Sequence, residues 1–547
     1  LILTWLATAA VLVSCGPAAA SSVLAGARPS APPSPTAFLP LEPSATPAEL
    51  RLWMAPDIPE TLRLTVLDAA RAGAQPVRVV AAETDSTVRL VADGETPVAD
   101  WVYALTAPFP TVDDAVSLDQ LVANWRSTDS AALPLFVDPV TAAAMTAVLG
   151  TPGMSVVIVP EDQSLVDASW NRRPSRAVVP FEDLDVRWKV LRVGDVSPLD
   201  NDAGLPSYPL ERSYGLSGDV GSIAAIEATL RAGSDIWPLT NRRRDHMTVV
   251  AMTGVTALTR ATAWEMDRQG VTFPARDIGD WLRSADITHI SNEVSFTPAC
   301  PAPLPDQTAL VFCSAPRYLD LLKDVGTDVV ELTGNHELDA GTEAFLGTLD
   351  LYRQQGWPFF GGGANVTSAR DPVLFEHNGN RIAFLGCNEA GPPGDWASED
   401  RPGSTPCGAD RMTGEVQALR QQGYLPIFTF QWHEHYTPVP PESQQEAFRA
   451  AAESGAVAVS GSQAHQPQGF EFRDGAFIHY GLGNLFFDQM WSNETRQEFV
   501  DRYVFYEGRL VSVELLTAYL EDWSRPRPMT PEERAAFLAN MFTASGW

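Results

Sequence analysis

From Glu49 onward the chain alternates short apolar runs with longer amphipathic stretches. PVRVVAA, TVRLVA, WVYALTAPF, ALPLFVD, MSVVIVP, SRAVVPF and KVLRVG have the length and composition of strands. ETLRLTVLDAARAG, SLDQLVANWR and PVTAAAMTAVLG read as helices. Strands alternating with helices predict an open sheet covered on both faces. A basic triplet, Arg242-Arg243-Arg244, follows and reads as a solvated linker. The alternation then resumes from Met247 to about Glu521. The expected fold class is therefore α/β with two domains, residues 49–233 and 247–525, and a C-terminal helix in 526–547.

In the second domain the apolar runs end in polar residues. MTVVAMT leads into Gly254-Val255-Thr256, and ITHIS into Asn292-Glu293. DVVELT leads into Gly334-Asn335-His336-Glu337, and RIAFLG into Cys387-Asn388-Glu389. PIFTF runs into Gln431-Trp432-His433-Glu434-His435, AVAVS into Gly461-Ser462-Gln463-Ala464-His465, and AFIHYGLG into Asn484. Ligands of open α/β sheets sit outside the carboxyl ends of the strands. Four of the eight histidines (336, 433, 435 and 465) occupy such positions, which points to a site. His246, His289, His377 and His479 have no such setting and read as structural. Gly361-Gly362-Gly363 lacks the Lys and Ser/Thr of a phosphate loop and reads as a tight turn beside Asn365. Ser462 has no nucleophile-elbow setting.

Seven segments carry a resemblance: GVTALTR, SNEVSF, TGNHELDAG, FFGGGANVTSARDP, FQWHEHY, ESQQEAFRAAAESGA and GSQAHQPQGFEFRDGAFIHYGLGNLFFD. Their order and spacing resemble the CapA family, bacterial capsule and poly-γ-glutamate synthesis proteins. The resemblance implies a four-layered, metallophosphatase-like α/β sandwich. In that fold two divalent metals (Mn, Fe or Zn) activate a water and clamp a phosphoryl group. Carried over by position, Glu293, Asn335 and His465 would be metal ligands, and His336 a proton donor oriented by Asp339. Arg260 matches the family's arginine after the first strand and would meet an anionic group. Asn292, Asn365, Gln431, Gln463 and Asn484 would line the substrate.

The chain also departs from the family. Val255, Gln431 and Gln463 stand where an aspartate and two histidines are expected. Valine cannot coordinate, and glutamine is a weak neutral donor beside imidazole or carboxylate. An intact two-metal cage is not expected. His433 and His435, with Glu293 and His465, are the residues that could rebuild a one-metal site. The function implied is synthesis, anchoring or processing of an anionic capsule polymer such as poly-γ-glutamate. A metal-dependent phosphoester or amide hydrolase and a non-catalytic small-ligand binder are the alternatives.

Residues 49–233 resemble the extracellular solute-binding fold more diffusely, with crossings between two lobes expected near Pro108–Val112 and Val179–Asp185. The N-terminal LILTWLATAAVLVSCGPAAASS resembles a lipoprotein signal, residues 1–16, with Cys15 as the lipid-bearing residue. Residues 17–48, rich in Ala, Ser and Pro, read as a tether. This places the protein outside the cytoplasm, lipid-anchored to the bacterial cell membrane. The remaining Cys300, Cys313, Cys387 and Cys407 suggest disulfides, two local loops being the simplest of three pairings. Across 547 residues the formal net charge is −30, which excludes nucleic acid as a partner. The partners left are an anionic envelope polymer or a small solute, and the polymer needs a local basic or metal-bearing patch.

Overall fold

In the first region the apolar runs assemble around one long strand, Thr96–Pro108, buried along nearly all of its second half. The structure, a computed structural model, describes residues 49–200, 205 and 208–547. The signal-like segment, Cys15 and the tether lie outside the described residues. Among the described residues this first sheet has ten strands. The first half of Thr96–Pro108 pairs antiparallel with Glu211–Gly218 and parallel with Leu239–Thr240. Its second half pairs antiparallel with Arg176–Pro180 and Trp188–Val190. The chain thus crosses between the halves inside one strand, near Val102–Tyr103, and not at Pro108–Val112. It returns after Val190, because both Arg176–Pro180 and Trp188–Val190 remain on the second half. The physical reason is the unbroken run WVYALTAP, which suits a strand buried on both faces.

From Met247 on, two sheets stack face to face. One of them carries Met247–Thr253, Ile287–Asn292 and Val329–Glu331 in parallel, extended antiparallel by Gln497–Tyr506, Arg509–Glu521 and Arg525–Pro528. The other has a parallel centre of Asn380–Asn388, Leu425–Gln431, Ala458–Ser462 and Ala476–Leu482. Val250, Met252, Ile287, Phe384, Ile427 and Phe477 fill the space between them. Met266, Leu322 and Leu349 pack helices Arg260–Gln269, Leu319–Asp324 and Thr342–Gln355 onto the first sheet. Val416, Phe448 and Ala451 pack Ala409–Gln421 and Glu442–Glu453 onto the second. The order helix, sheet, sheet, helix is the four-layered sandwich. The cysteines take the local pairings, Cys300–Cys313 and Cys387–Cys407.

The two regions share cores, and Glu49–Trp547 form one compact unit. Phe109, at the end of the long strand, meets the rings of Phe470, Phe472, Phe477, Phe542 and Trp547. Helix Pro531–Ala544 closes this cluster, capped by Thr530 and tied to the first region by Arg534, whose Nε and Nη2 each donate to Asp114 at 2.7 Å. The basic triplet is not a solvated linker. Arg242 is 7% exposed and donates to the carbonyls of Pro198 and Asp200, both at 2.6 Å. Arg243 pairs with Asp235 and Asp245, and Arg244 with Asp286. Where two regions share a core, the segment between them is drawn into the packing, and its cations need partners there.

Candidate functional site

The parallel strands of the two facing sheets direct their carboxyl ends to the same side, and the expected site residues follow those ends. Glu293 follows Ile287–Asn292 directly and is 2% exposed. Asn335 and His336 follow Val329–Glu331 by a short turn. Gly334 makes their approach to Glu293 feasible, because a Cβ at that position would lie 2.7 Å from the Glu293 Cα. Gln431 ends Leu425–Gln431, and Gln463 and His465 follow Ala458–Ser462. Gln463 and His465 both have positive φ, 75° and 54°, in a region few side chains adopt, so the turn holding them is over-determined by its surroundings.

Gln431 is the hub. The two hydrogens of its Nε2 are shared among three acceptors, Glu293 Oε1 at 2.8 Å, Asn335 Oδ1 at 3.1 Å and Gln463 Oε1 at 2.6 Å. Its Oε1 accepts from the Ser462 hydroxyl. Strand ends up to 170 residues apart in sequence (293 and 463) therefore meet on one amide. His465 lies beside this hub, Nδ1 at 3.0 Å from Asn484 Oδ1 and Nε2 at 3.7 Å from Glu434. Asn484 in turn donates to the carbonyls of His465 and Thr495.

His336 stands at the partly open side. Its Nδ1 donates to Asp339 Oδ2 at 2.7 Å, and its ring lies 4.6 Å from that of Phe312. Burial lowers its proton affinity, yet the Asp339 hydrogen bond and the charges of Glu293, Asp339 and Asp395 leave the imidazole above its usual value. The sequence reading missed Asp395. It lies in the loop closed by Cys387–Cys407, is 8% exposed, and burial and the like charge of Asp339 push its carboxyl up to about 6. The only sequence signal was an aspartate inside a cystine-closed loop. Glu337 was also missed as a titrating group. It is fully buried with neither carboxyl oxygen partnered among the described residues, and burial drives its pKa well above the usual range.

Other expected residues do different work. Arg260 is clamped by Asp488, which also accepts from the Ala261 N–H at 2.8 Å. Its guanidinium lies over Phe312 and Phe487, 5.0 and 4.9 Å from their centroids. The cation expected to meet an anionic ligand is thus already neutralised. Asn292 is buried and donates to the Val294 carbonyl at 2.7 Å. Asn365 caps helix Val366–Ala369 in a reciprocal pair with Ser368. His433 is exposed against Trp432, and the His435 backbone carbonyl accepts from Thr437 and Gln468. Neither ring joins Glu293 or His465, so the one-metal site does not assemble from them. Among the described residues no three His, Cys, Asp or Glu converge to hold a metal ion. Val255 is buried with Ala257, Val294, Phe312 and Phe487 in an apolar cluster. The donor set at the strand ends is one carboxylate, two amide oxygens and one histidine already bonded to an amide. That set does not fit a two-metal centre.

Residues 249–489 match the family described as bacterial capsule synthesis protein PGA_cap. Through that segment, a little under half of its length, the chain is similar to CapA proteins. Capsule biosynthesis protein CapA of Bacillus anthracis is 23% identical over 304 residues, 54% of this chain and 72% of that one. PGA biosynthesis protein CapA of Bacillus subtilis (strain 168) is 27% identical over 173 residues, 31% of this chain and 46% of that protein. Among solved structures, NAD nucleotidase of Haemophilus influenzae aligns with TM-score 0.33 and 10% identity over 53% of this chain and 55% of that one. A phosphate transport receptor of Vibrio cholerae aligns with TM-score 0.29 and 9% identity over 34% of this chain and 94% of that one. At those scores the fold assignment rests on the strand order and layering described above.

Proposed function

We propose that the protein acts at the cell surface in the synthesis, anchoring or processing of an anionic capsule polymer such as poly-γ-glutamate. The observation that carries this reading is the family match over residues 249–489, joined to a cleft where the matched strand ends meet. The cleft's chemistry suits holding a polyamide. Gln431 and Gln463 are buried and bonded to one another, so the groups that would meet a polymer are the part-exposed Asn335 and the His336–Asp339 pair, which supplies a proton or a cation at the partly open side. Two disulfides fit an oxidising compartment outside the cytoplasm. Cys15 would carry the lipid that ties the protein to the membrane, and residues 17–48 would give it reach. The test is a deletion strain complemented with wild-type protein or with His336→Ala. Loss of cell-associated polymer in the deletion, restored by wild type, supports the reading. Unchanged polymer in the deletion, together with no binding of γ-glutamyl oligomers by the purified chain, would end it.

A second reading, small-solute binding by the first region, is favoured by a cavity of about 490 Å³ between the halves of its sheet. The starts of helices Glu60–Ala72 and Pro139–Leu149 flank it. Glu60, Asp138, Glu161, Glu182, Asp183 and Asp185 line it, with no lysine or arginine among the described residues, so a cationic solute fits better than an anion. A melting-temperature screen of small cations and anions, repeated on Glu182→Gln, checks this. A shift by anions alone would sink it.

A further inference from the structure

The oxygens that converge at the strand ends are arranged as cation ligands are, from separate strands around a common point. What stands at that point is the side-chain nitrogen of Gln431. We infer that Gln431 is a built-in occupant of the cleft, a neutral amide that takes up the ligand oxygens and closes the site to divalent metals.

Three observations carry this. Glu293 Oε1, Asn335 Oδ1 and Gln463 Oε1 all lie within 3.1 Å of Gln431 Nε2. Glu293 and the two amide oxygens are acceptors, so the opposite orientation of Gln431 would set oxygen against oxygen at these distances. At its other end the amide oxygen is held by the Ser462 hydroxyl, which fixes the side chain in place. A metal at the Nε2 position would have to displace the amide from all three oxygens.

The charge balance points the same way. Among the described residues Glu293 is the one carboxylate hydrogen-bonded to the hub, and a single negative charge does not balance a divalent ion in a buried site. Val255 adds an apolar wall where the family resemblance calls for a carboxylate. His465 has Nδ1 on Asn484 and Nε2 beside Glu434. Glu293 Oε2 is the one acceptor of the set left without a partner among the described residues, and it defines the place where a competing cation would have to bind. The inference concerns metal exclusion alone and stands whichever polymer or solute the protein serves.

The test changes one atom. Gln431→Glu keeps the shape of the side chain and turns the amide nitrogen into a carboxylate oxygen. The wild type and the variant, both full chain, are dialysed and then assayed for bound Mn and Zn by plasma mass spectrometry. Each is also melted in EDTA and in excess Mn²⁺. The expected result is a wild type with well under one equivalent of metal and the same melting temperature in both buffers. The variant melts lower in EDTA, where two carboxylates face each other, recovers with Mn²⁺, and retains about one equivalent. Gln431→His serves as a second variant should the first not fold. A wild type that retains an equivalent of metal, lost on Glu293→Gln, overturns the inference. So does a wild type and a folded variant that both remain empty, for then Gln431 is not what excludes the ion.

Discussion

At the scale of single residues, the carboxylates without partners are the most informative. Glu498 lies in the strand Gln497–Tyr506, fully buried, with neither oxygen partnered among the described residues, and burial alone drives its pKa well above 4.5. A carboxyl whose folded pKa is raised binds a proton that the unfolded chain gives up. Its presence therefore costs stability as pH rises from 4.5 toward the folded value, and costs nothing below 4.5. Glu498→Gln removes this titration. Its stability relative to wild type is expected to rise by about 1.4 kcal/mol per pH unit through that window. Denaturant unfolding across a pH series checks this, and parallel curves for the two proteins would refute it. At the cleft, Asp339→Asn removes one of the charges that raise His336 and leaves at most a neutral, weaker acceptor, so the imidazole pKa should fall. The proton NMR titration of His336 reads that directly, and an unmoved titration would show that Asp339 is not what holds the proton.

At the scale of elements, the C-terminal helix Pro531–Ala544 is expected to behave as a clamp. Burial works against the Asp114 carboxylate, but Arg534 and Lys189 hold it down to about 2. A depressed carboxylate contributes stability that is full above 3.8 and is lost as pH falls toward 2. Arg534→Ala should therefore move the acid-unfolding midpoint to higher pH, and an unmoved midpoint would count against the clamp. Most elements were legible from period and length, as with the strand Leu425–Gln431 and the helix Glu442–Glu453. The GNHE turn and the glutamines at 431 and 463 were legible by position. Three features were not. The crossing between halves of the first sheet was misplaced because a buried strand gives no signal of where its hydrogen-bonding partner changes. His433 and His435 looked like ligands because spacing cannot tell which way a loop turns after a strand ends. Asp395 went unseen because its charged neighbours, Asp339 and His336, are more than fifty residues away in the chain.

At the scale of the whole molecule, the question is whether the two α/β regions are separate folding units. An aromatic nucleus spans them. The Phe109 ring lies 5.2 Å from Phe472, 5.4 Å from Phe477 and 5.9 Å from both Phe470 and Trp547, and Trp547 stacks on Phe472 at 5.4 Å. On the other side of the boundary Phe181 meets Tyr506 edge-on at 5.0 Å, and the Tyr506 hydroxyl donates to the Asn241 carbonyl. Those contacts bury apolar surface from both regions at once, so neither keeps an intact exterior when the other unfolds. A linker of the solvated kind would have left two independent transitions. Buried arginines and a shared ring cluster instead predict one. Phe109→Ala should cost about 3–5 kcal/mol, the range for a buried aromatic, and the loss falls on the coupling between regions more than on either sheet. Calorimetry of the wild type is expected to give one transition, and of Phe109→Ala a lower, broadened or split one. If the wild type already unfolds in two well-separated steps, the nucleus does not couple the regions, and the first region is free to move against the cleft-bearing one.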